Sequence, residues 1–277
     1  MLDMRPIGVF DSGFGGISVL AEAARLLPDE DFIFLGDNLH APYGDRTPEA
    51  VLALTRNAVE RLIRLDCKAI VLACNTATSA AAATLRHDYS LPIIGMEPAL
   101  KPAALLPGEG SVLVMATAMT LRLPKFQTLM AQYGKHAVPV PCPGLVELIE
   151  AGETSGSRIQ ARINELLAVH LRMPVKAVVL GCTHYVFLRP TLAACLPQGT
   201  LLVDGNAGTA RRLRDQLQTH GLRKNSAGEN MPGGRITYLS TAAGDDTPQR
   251  MRAWFALAMK QGDTGCNSTV GTVQWQG

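Results

Sequence analysis

The chain has 277 residues, of which 47% are hydrophobic and 18% are charged, and its net charge at pH 7 is +2. This length allows one or two domains with sizeable cores, and the small positive charge does not predict nucleic acid as a partner. We expect a cytoplasmic protein, because the sequence has neither a secretory signal at its start nor the run of about 18 apolar residues that spans a membrane.

Short apolar runs alternate with amphipathic helical patterns along the chain. The predicted strands are Ile7–Phe10, Phe32–Leu35, Ala69–Ala73, Pro92–Met96, Ser111–Ala116, Ala177–Gly181, Thr200–Val203 and Arg235–Leu239. The predicted helices are Gly15–Leu27, Pro48–Leu65, Ala77–His87, Leu145–Glu150, Arg158–His170, Ala207–Thr219 and Thr247–Met259. Residues 224–234 and 262–277 are predicted to form a loop and a tail. This alternation indicates an α/β fold with a parallel sheet covered on both faces.

Ligands of such sheets bind beyond the carboxyl ends of the strands, so the residues that directly follow each predicted strand are candidates for a site. Two strands in the first half run into Asp11 and Cys74, and two in the second half run into Thr117 and Cys182. The separations are similar, 63 positions in the first half and 65 in the second. Two such units facing each other would bring two thiols to one crevice. The alternative, that α/β chains produce such spacings by chance, remains open.

Polar residues surround both of these cysteines. Asn75 and Thr76 follow Cys74, whereas Thr183 and His184 follow Cys182. A free cysteine is most often a small buried apolar residue, but packing alone would not need so many polar neighbours. A helix N-terminus lowers the pKa of a thiol, so we expect Cys74 and Cys182 to act as acid/base groups.

Two further side chains are candidates for handling protons beside these thiols. Asp11 is the natural acid near Cys74, although it could simply cap the following helix. His184 lies two positions from Cys182, although it could be a turn residue without a chemical role. We interpret the remaining cysteines as structural and expect neither disulfides nor a zinc site; they are Cys67, Cys142, Cys195 and Cys266.

The segment Gly13-Phe14-Gly15-Gly16 follows a strand and opens a helix, as a dinucleotide-binding turn does. Asp37 lies where a ribose-binding acid would be expected. However, Ser18 occupies the third glycine position, and Asp11 would repel a pyrophosphate. A tight turn whose N–H groups face a carboxylate fits better. A dinucleotide enzyme and a non-catalytic binding protein remain as alternatives.

Four blocks together resemble the signature of the glutamate racemases within the aspartate/glutamate racemase superfamily. These blocks are Val9–Gly16, Gly36-Asp37 with Pro42-Tyr43-Gly44, Ala73–Ala77 and Gly181–Tyr185. The resemblance spans residues 7 to 260, although Ala116–Phe126 departs from the family pattern. It implies two α/β domains related by a pseudo-twofold axis, with mostly parallel sheets and the active site in the interdomain cleft. We therefore predict one domain from residues 1–98 plus 206–277 and a second from residues 99–205.

The resemblance also implies an isomerase that interconverts L- and D-glutamate with two thiols, without a cofactor or a metal ion. Cys74, Cys182, Asp11 and His184 are the implied catalytic residues. The substrate contacts it implies fall on Asp11, Ser12, Tyr43, Gly44, Asn75, Thr76, Thr183 and His184. The implied role is supplying D-glutamate for peptidoglycan, and thus for cell-wall biogenesis and cell shape. A racemase of aspartate or another acidic amino acid is the alternative, and a homodimer is the assembly considered.

Overall fold

The computed structural model describes residues 3–224, 234–242 and 247–263. Its strands are β1 Ile7–Asp11, β2 Phe32–Gly36, β3 Ala69–Leu72, β4 Ile93–Gly95, β5 Ser111–Ala116, β6 Ala137–Pro141, β7 Val175–Leu180, β8 Leu201–Val203 and β9 Ile236–Ser240. Its α-helices are α1 Ile17–Leu26, α2 Pro48–Arg64, α3 Asn75–Asp88, α4 Leu100–Ala104, α5 Ala118–Arg122, α6 Pro124–Tyr133, α7 Leu145–Glu150, α8 Ser157–Leu167, α9 Arg189–Cys195, α10 Asn206–Thr219 and α11 Thr247–Asp263. Short 3₁₀ helices cover Tyr43–Asp45, His170–Arg172 and Thr183–Leu188.

The strands form two sheets, and every strand pairing in the described part of the chain is parallel. The first sheet has the order β4-β3-β1-β2-β9, and the second has the order β6-β5-β7-β8. The predicted α/β fold class is confirmed. All strands of the second sheet lie between residues 111 and 203, whereas β9 returns to the first sheet. The domain boundaries at 98/99 and 205/206 stay a prediction.

Two central strands of the first sheet are buried along their whole length, because helices cover both faces. All five residues of β1 and all four residues of β3 are buried. Such strands are continuous apolar runs instead of alternating ones, which is why the sequence pattern identified them. In each sheet the two strands that precede candidate residues are neighbours, β1 beside β3 and β5 beside β7. The predicted repeat therefore brings Asp11 next to Cys74, and Thr117 next to Cys182.

The predicted elements are all present, with ends that shift by a few residues, but the prediction missed several. The strand β6 was missed because its sequence Ala-Val-Pro-Val-Pro contains two prolines, which lack the N–H that a sheet interior needs. This strand lies at the edge of the second sheet, where proline is tolerated. The helices α4, α5, α6 and α9 were also missed. Residues 225–233 and 264–277, with most of the predicted loop and tail and Cys266, lie outside the described residues.

A buried ion pair closes the amino-terminal end of the first sheet, opposite the candidate residues. Lys68 Nζ lies 2.6 Å from Glu30 Oε2, and both side chains are almost completely shielded from solvent. Lys68 Nζ also donates to the carbonyl of Asp3, and Glu30 Oε1 accepts the N–H of Lys224. The pair thus joins the turn after α1 to the start of β3. No helix in the described part of the chain is long and apolar enough to cross a membrane.

Candidate active site

Candidate residues from both sheets meet at one cleft. Cys74 follows β3 and forms the N-cap of α3, and Cys182 follows β7 at the start of a 3₁₀ helix. The two sides touch directly, because Thr76 Oγ1 lies 3.0 Å from Thr117 Oγ1. A second contact is the N–H of Gly15, which lies 3.2 Å from Nε2 of His184. The two strand ends of the first sheet therefore face those of the second.

The thiol of Cys74 is buried where the neighbouring strands β1 and β3 end. Its Sγ lies 3.4 Å from Ser12 Oγ and accepts the N–H of Ala77 at 3.4 Å. Burial and the nearby carboxylate of Asp11 raise the pKa of Cys74 to about 12, although the bonds from Ser12 and Ala77 oppose the rise. The expectation of a lowered pKa at Cys74 is therefore wrong, because desolvation outweighs the helix N-terminus.

Asp11 ends β1 and is completely buried. Its Oδ2 accepts the N–H of Gly13 at 3.0 Å, and its Oδ1 has no hydrogen-bond partner among the described residues. Burial raises the pKa of Asp11, against the lowering effect of His184 across the cleft. A raised pKa makes the protonated form of this carboxyl group more accessible than that of an exposed one.

On the opposite side of the cleft, a line of hydrogen-bonding groups runs from Cys182 through His184 to Glu150. Cys182 Sγ lies 3.6 Å from His184 Nδ1, and His184 Nε2 lies 2.6 Å from Glu150 Oε1. Burial alone would lower the pKa of His184, but its bonds to Cys182 and Glu150 raise that pKa well above the usual range. The pKa of Glu150 is lowered, since the contact with His184 overcomes the cost of its burial. The imidazole thus lies between a carboxylate and a thiol, and both contacts favour its protonated form.

Glu150 was missed by the sequence analysis, and it is the last residue of α7. It does not follow a strand, and it is 34 positions from His184. Helix packing brings it to the cleft, where the N–H of Phe14 donates to Glu150 Oε1 at 2.8 Å. The sequence contained no signal that distinguishes it from other acidic residues of the second half.

The glycine-rich turn after β1 packs tightly against these same groups. A Cβ atom on Gly15 would lie 2.7 Å from Cγ and Cε1 of His184, and one on Gly13 would lie 3.1 Å from Cδ of Glu150. The N–H groups of Phe14 and Gly15 face Glu150 and His184. The turn therefore receives a carboxylate of this chain, which leaves no room for a pyrophosphate. The dinucleotide alternative is not compatible with this packing.

Asp37 organises the segment that carries Tyr43 and Gly44. The Tyr43 hydroxyl donates to Asp37 Oδ2 at 2.6 Å, and His40 and Thr241 contact Asp37 Oδ1 at 2.7 and 2.6 Å. Burial and the bond to Asp37 raise the pKa of Tyr43, so its hydroxyl stays protonated. Asp37 therefore holds the segment in place instead of binding a ribose.

Hydroxyl and amide groups line the cleft beside the thiols. Thr76, Thr117 and Thr120 form a triangle in which the three Oγ1 atoms are 3.0 to 3.1 Å apart. Asn75 is buried, and neither polar atom of its side chain has a partner among the described residues. Thr117 and Thr120 belong to the segment that departs from the family pattern, yet they contact Thr76.

Two thiols with separate acid/base partners at facing strand ends are the arrangement of an enzyme that moves protons. Residues 16–213 match the family model described as Asp/Glu/Hydantoin racemase. A protein of Clostridium perfringens named glutamate racemase is 48% identical over 228 residues, which are 81% of this chain and 88% of that protein.

Two solved structures extend the similarity to the fold. The glutamate racemase of Thermus thermophilus, in complex with β-chloro-D-alanine, matches with a TM-score of 0.74 and 34% identity over 93% of this chain and 94% of that one. The Escherichia coli glutamate racemase, in complex with L-glutamate and the activator UDP-MurNAc-Ala, matches with a TM-score of 0.78 and 30% identity over 91% and 95%. The chain belongs to the aspartate/glutamate/hydantoin racemase family. It is an amino-acid racemase, and thus an isomerase that acts on a small molecule.

Proposed function

We propose that the protein interconverts L- and D-glutamate by a two-base mechanism in which Cys74 and Cys182 exchange protons with opposite faces of the α-carbon. One observation carries the proposal: the two thiols lie at facing strand ends, and each has its own acid/base partner. A racemase needs such a pair, because the proton leaves one face of the substrate and returns to the other. Relatives that are 48% and 50% identical to this chain are named glutamate racemases, which supports glutamate over aspartate.

In the L-to-D direction, the Cys182 thiolate takes the α-proton and becomes a thiol. The electron pair of the broken C–H bond passes to the α-carbon and is delocalised into the α-carboxylate. Cys74, which is a protonated thiol in the free protein because of its high pKa, then gives its proton to the other face and becomes a thiolate. The D-to-L direction reverses both steps, so atoms and charge balance without an oxidant.

The partners support these two thiols in different ways. Glu150 favours the protonated form of His184, which can donate from Nδ1 toward Cys182 Sγ and stabilise a thiolate there. Asp11 lies beside Cys74, where it assists proton transfer to and from D-glutamate. Cys182 faces L-glutamate and Cys74 faces D-glutamate in this assignment, which follows the family resemblance.

Substrate contacts are proposed for polar groups that border the thiols. Neither polar atom of the Asn75 side chain has a partner within the part of the chain that the structure describes, which suits a residue that binds a ligand carboxylate or ammonium. Thr76 and Thr183 open helical segments whose N–H groups can stabilise negative charge on a carboxylate. The remaining contacts are proposed for Ser12, Tyr43 and Gly44.

D-Glutamate made in this way would serve peptidoglycan synthesis in the cytoplasm, and so cell-wall biogenesis and cell shape. The homodimer considered from the sequence stays a prediction. Depletion of the protein from its host should create a need for external D-glutamate, unless the host has a second source.

The proposed activity is tested by circular dichroism of L-glutamate incubated with the pure protein in the presence of EDTA and without added cofactor. The optical signal should decay to zero as the racemic mixture forms, and L-aspartate should react more slowly. Loss of activity in EDTA that added metal restores would contradict the cofactor-independent mechanism. Faster reaction of aspartate would instead favour the aspartate racemase alternative.

A further inference from the structure

Ser18 is a buried polar residue that the proposed mechanism does not use. It occupies the position where a dinucleotide-binding turn would have its third glycine, in the first turns of α1. Its Oγ lies 2.9 Å from the carbonyl oxygen of Gly15 and 3.2 Å from that of Thr183. Gly15 belongs to the turn after β1, and Thr183 lies between Cys182 and His184. One hydroxyl therefore bridges the two turns that meet at His184.

Asn206, the first residue of α10, fixes the direction of this hydroxyl. Its Nδ2 donates to Ser18 Oγ at 2.9 Å, and both residues are buried. A hydroxyl has one hydrogen, so a Ser18 that accepts from Asn206 must direct its own hydrogen toward Gly15 or Thr183. The amide of Asn206 thereby keeps the hydroxyl in a donating role toward the two carbonyls.

Asn206 is itself held from the second sheet. Its N–H donates to Asp204 Oδ1 at 2.8 Å, and the other carboxylate oxygen of Asp204 pairs with the guanidinium of Arg189. Arg189 begins α9 directly after the 3₁₀ helix that contains Thr183 and His184. The network is thus a chain of buried and partly buried contacts around the segment that carries Cys182 and His184.

We infer that Ser18 and Asn206 are positioning residues for the Cys182 side of the reaction, which rests on the proposed function. Neither side chain touches the thiols. They act through Thr183, whose carbonyl they hold, and through Gly15, whose N–H faces Nε2 of His184. Loosening this network should misalign Cys182 and His184 while the bonds from Ser12 and Ala77 to Cys74 stay as they are.

The experiment compares Ser18→Ala and Asn206→Leu with the control Thr209→Val. Thr209 is also buried, and its hydroxyl donates to the carbonyl of Gly205, the N-cap residue of α10, and not to Gly15 or Thr183. Primary deuterium isotope effects on kcat/KM are measured with glutamate deuterated at C2, starting from each enantiomer. The wild-type protein must first racemise glutamate, so failure of the proposed function is recognised separately.

Ser18→Ala and Asn206→Leu should reduce kcat/KM by about two- to tenfold, the effect of one lost hydrogen bond on a rate. The reduction should be equal in both directions, because the equilibrium constant of a racemisation is one. The isotope effect from L-glutamate should rise, because proton abstraction by Cys182 becomes more fully rate-limiting, and that from D-glutamate should fall. Thr209→Val should change neither.

Unchanged isotope effects, or shifts of the same sign in both directions, would overturn the inference. So would the same asymmetry in Thr209→Val, since it would indicate a general effect of the buried hydroxyls. If Ser18→Ala does not fold, Asn206→Leu alone decides the outcome, because it leaves the Ser18 hydroxyl present but without its amide partner.

Discussion

His184 Nε2 and Glu150 Oε1 lie 2.6 Å apart, and this contact joins a residue that follows β7 to the last residue of α7. Glu150 contacts Nε2 of His184, and Cys182 lies beside the other ring nitrogen, Nδ1. Other acid/base sites place a carboxylate on the imidazole in the same way. The carboxylate fixes the ring and favours its protonated form.

Replacing Glu150 with Gln should lower the pKa of His184, because the amide cannot compensate the imidazolium charge and burial then dominates. Racemisation should fall by about ten- to hundredfold, which is the effect of losing a charged hydrogen bond. NMR titration of the His184 ring measures the pKa directly. An unchanged titration midpoint would show that Glu150 has no electrostatic role. Glu147→Gln, on the same helix, is the matched control.

Replacing Gly15 with Ala should displace the His184 ring, because the added Cβ would lie 2.7 Å from two ring carbon atoms. The shift of the His184 ring should reduce kcat by about a hundredfold while the fold is kept. Gly208→Ala is the control, since no atom lies within 4 Å of a Cβ added there. Steady-state kinetics and circular dichroism are the measurements. Full activity of Gly15→Ala would mean that the ring position is not critical.

Each thiol should be needed for racemisation in both directions. Cys74→Ala and Cys182→Ala should each lose more than the roughly 10²–10⁴-fold that is typical of general acid–base catalysis. In deuterium oxide, Cys182→Ala should still exchange the α-proton of D-glutamate slowly, and Cys74→Ala that of L-glutamate. Proton NMR of the recovered substrate detects this exchange. A single-base mechanism would be indicated if one variant exchanged both enantiomers.

Alkylation of Cys74 should be slow at neutral pH and should accelerate by about tenfold per pH unit above it, because only the thiolate reacts and the pKa of Cys74 is about 12. Mass spectrometry of peptides from protein treated with iodoacetamide reports the rate for each cysteine. Cys195 serves as the comparison, since it is partly exposed. Fast, pH-independent labelling of Cys74 would show that burial does not control its reactivity.

The ion pair between Lys68 and Glu30 should matter for stability and not for catalysis. Lys68→Met leaves the buried Glu30 carboxylate without its cation and should reduce the free energy of unfolding by about 3–5 kcal/mol. The double variant Lys68→Met/Glu30→Gln should recover much of this loss. Urea denaturation gives the free energies, and the folded variants should keep wild-type kcat. Equal stability of the single and double variants would contradict this account.

The residues that meet at the cleft could largely be predicted from the sequence, because each of them directly follows a predicted strand; they are Asp11, Cys74, Thr117 and Cys182. Glu150 could not be predicted, since it reaches His184 through the packing of α7 against a distant segment. The pKa direction at Cys74 was wrong for a similar reason. The sequence reveals the nearby helix N-terminus, but the degree of burial depends on the surrounding fold.

Strands and helices were predicted where their own residues carry the signal, and they were missed where a distant segment determines the structure. Long apolar runs such as β1 and β3 were recognised because their own residues carry the signal. The edge strand β6 forms despite its prolines because β5 offers a partner, and no local pattern reveals that partner. Helix α3 begins two residues earlier than predicted, since Cys74 acts as its N-cap.

The return of the chain to the first sheet has a consequence for synthesis. Residues 111–203 contain every strand of the second sheet, but β9 starts 141 residues after β4 ends. Because a nascent chain emerges from its amino terminus, the second sheet can be complete while β2 still lacks its outer neighbour. During that interval Phe32–Gly36 is an exposed sheet edge that can pair with another nascent chain. Slow elongation through residues 204–240 would therefore increase aggregation more than a pause before residue 96.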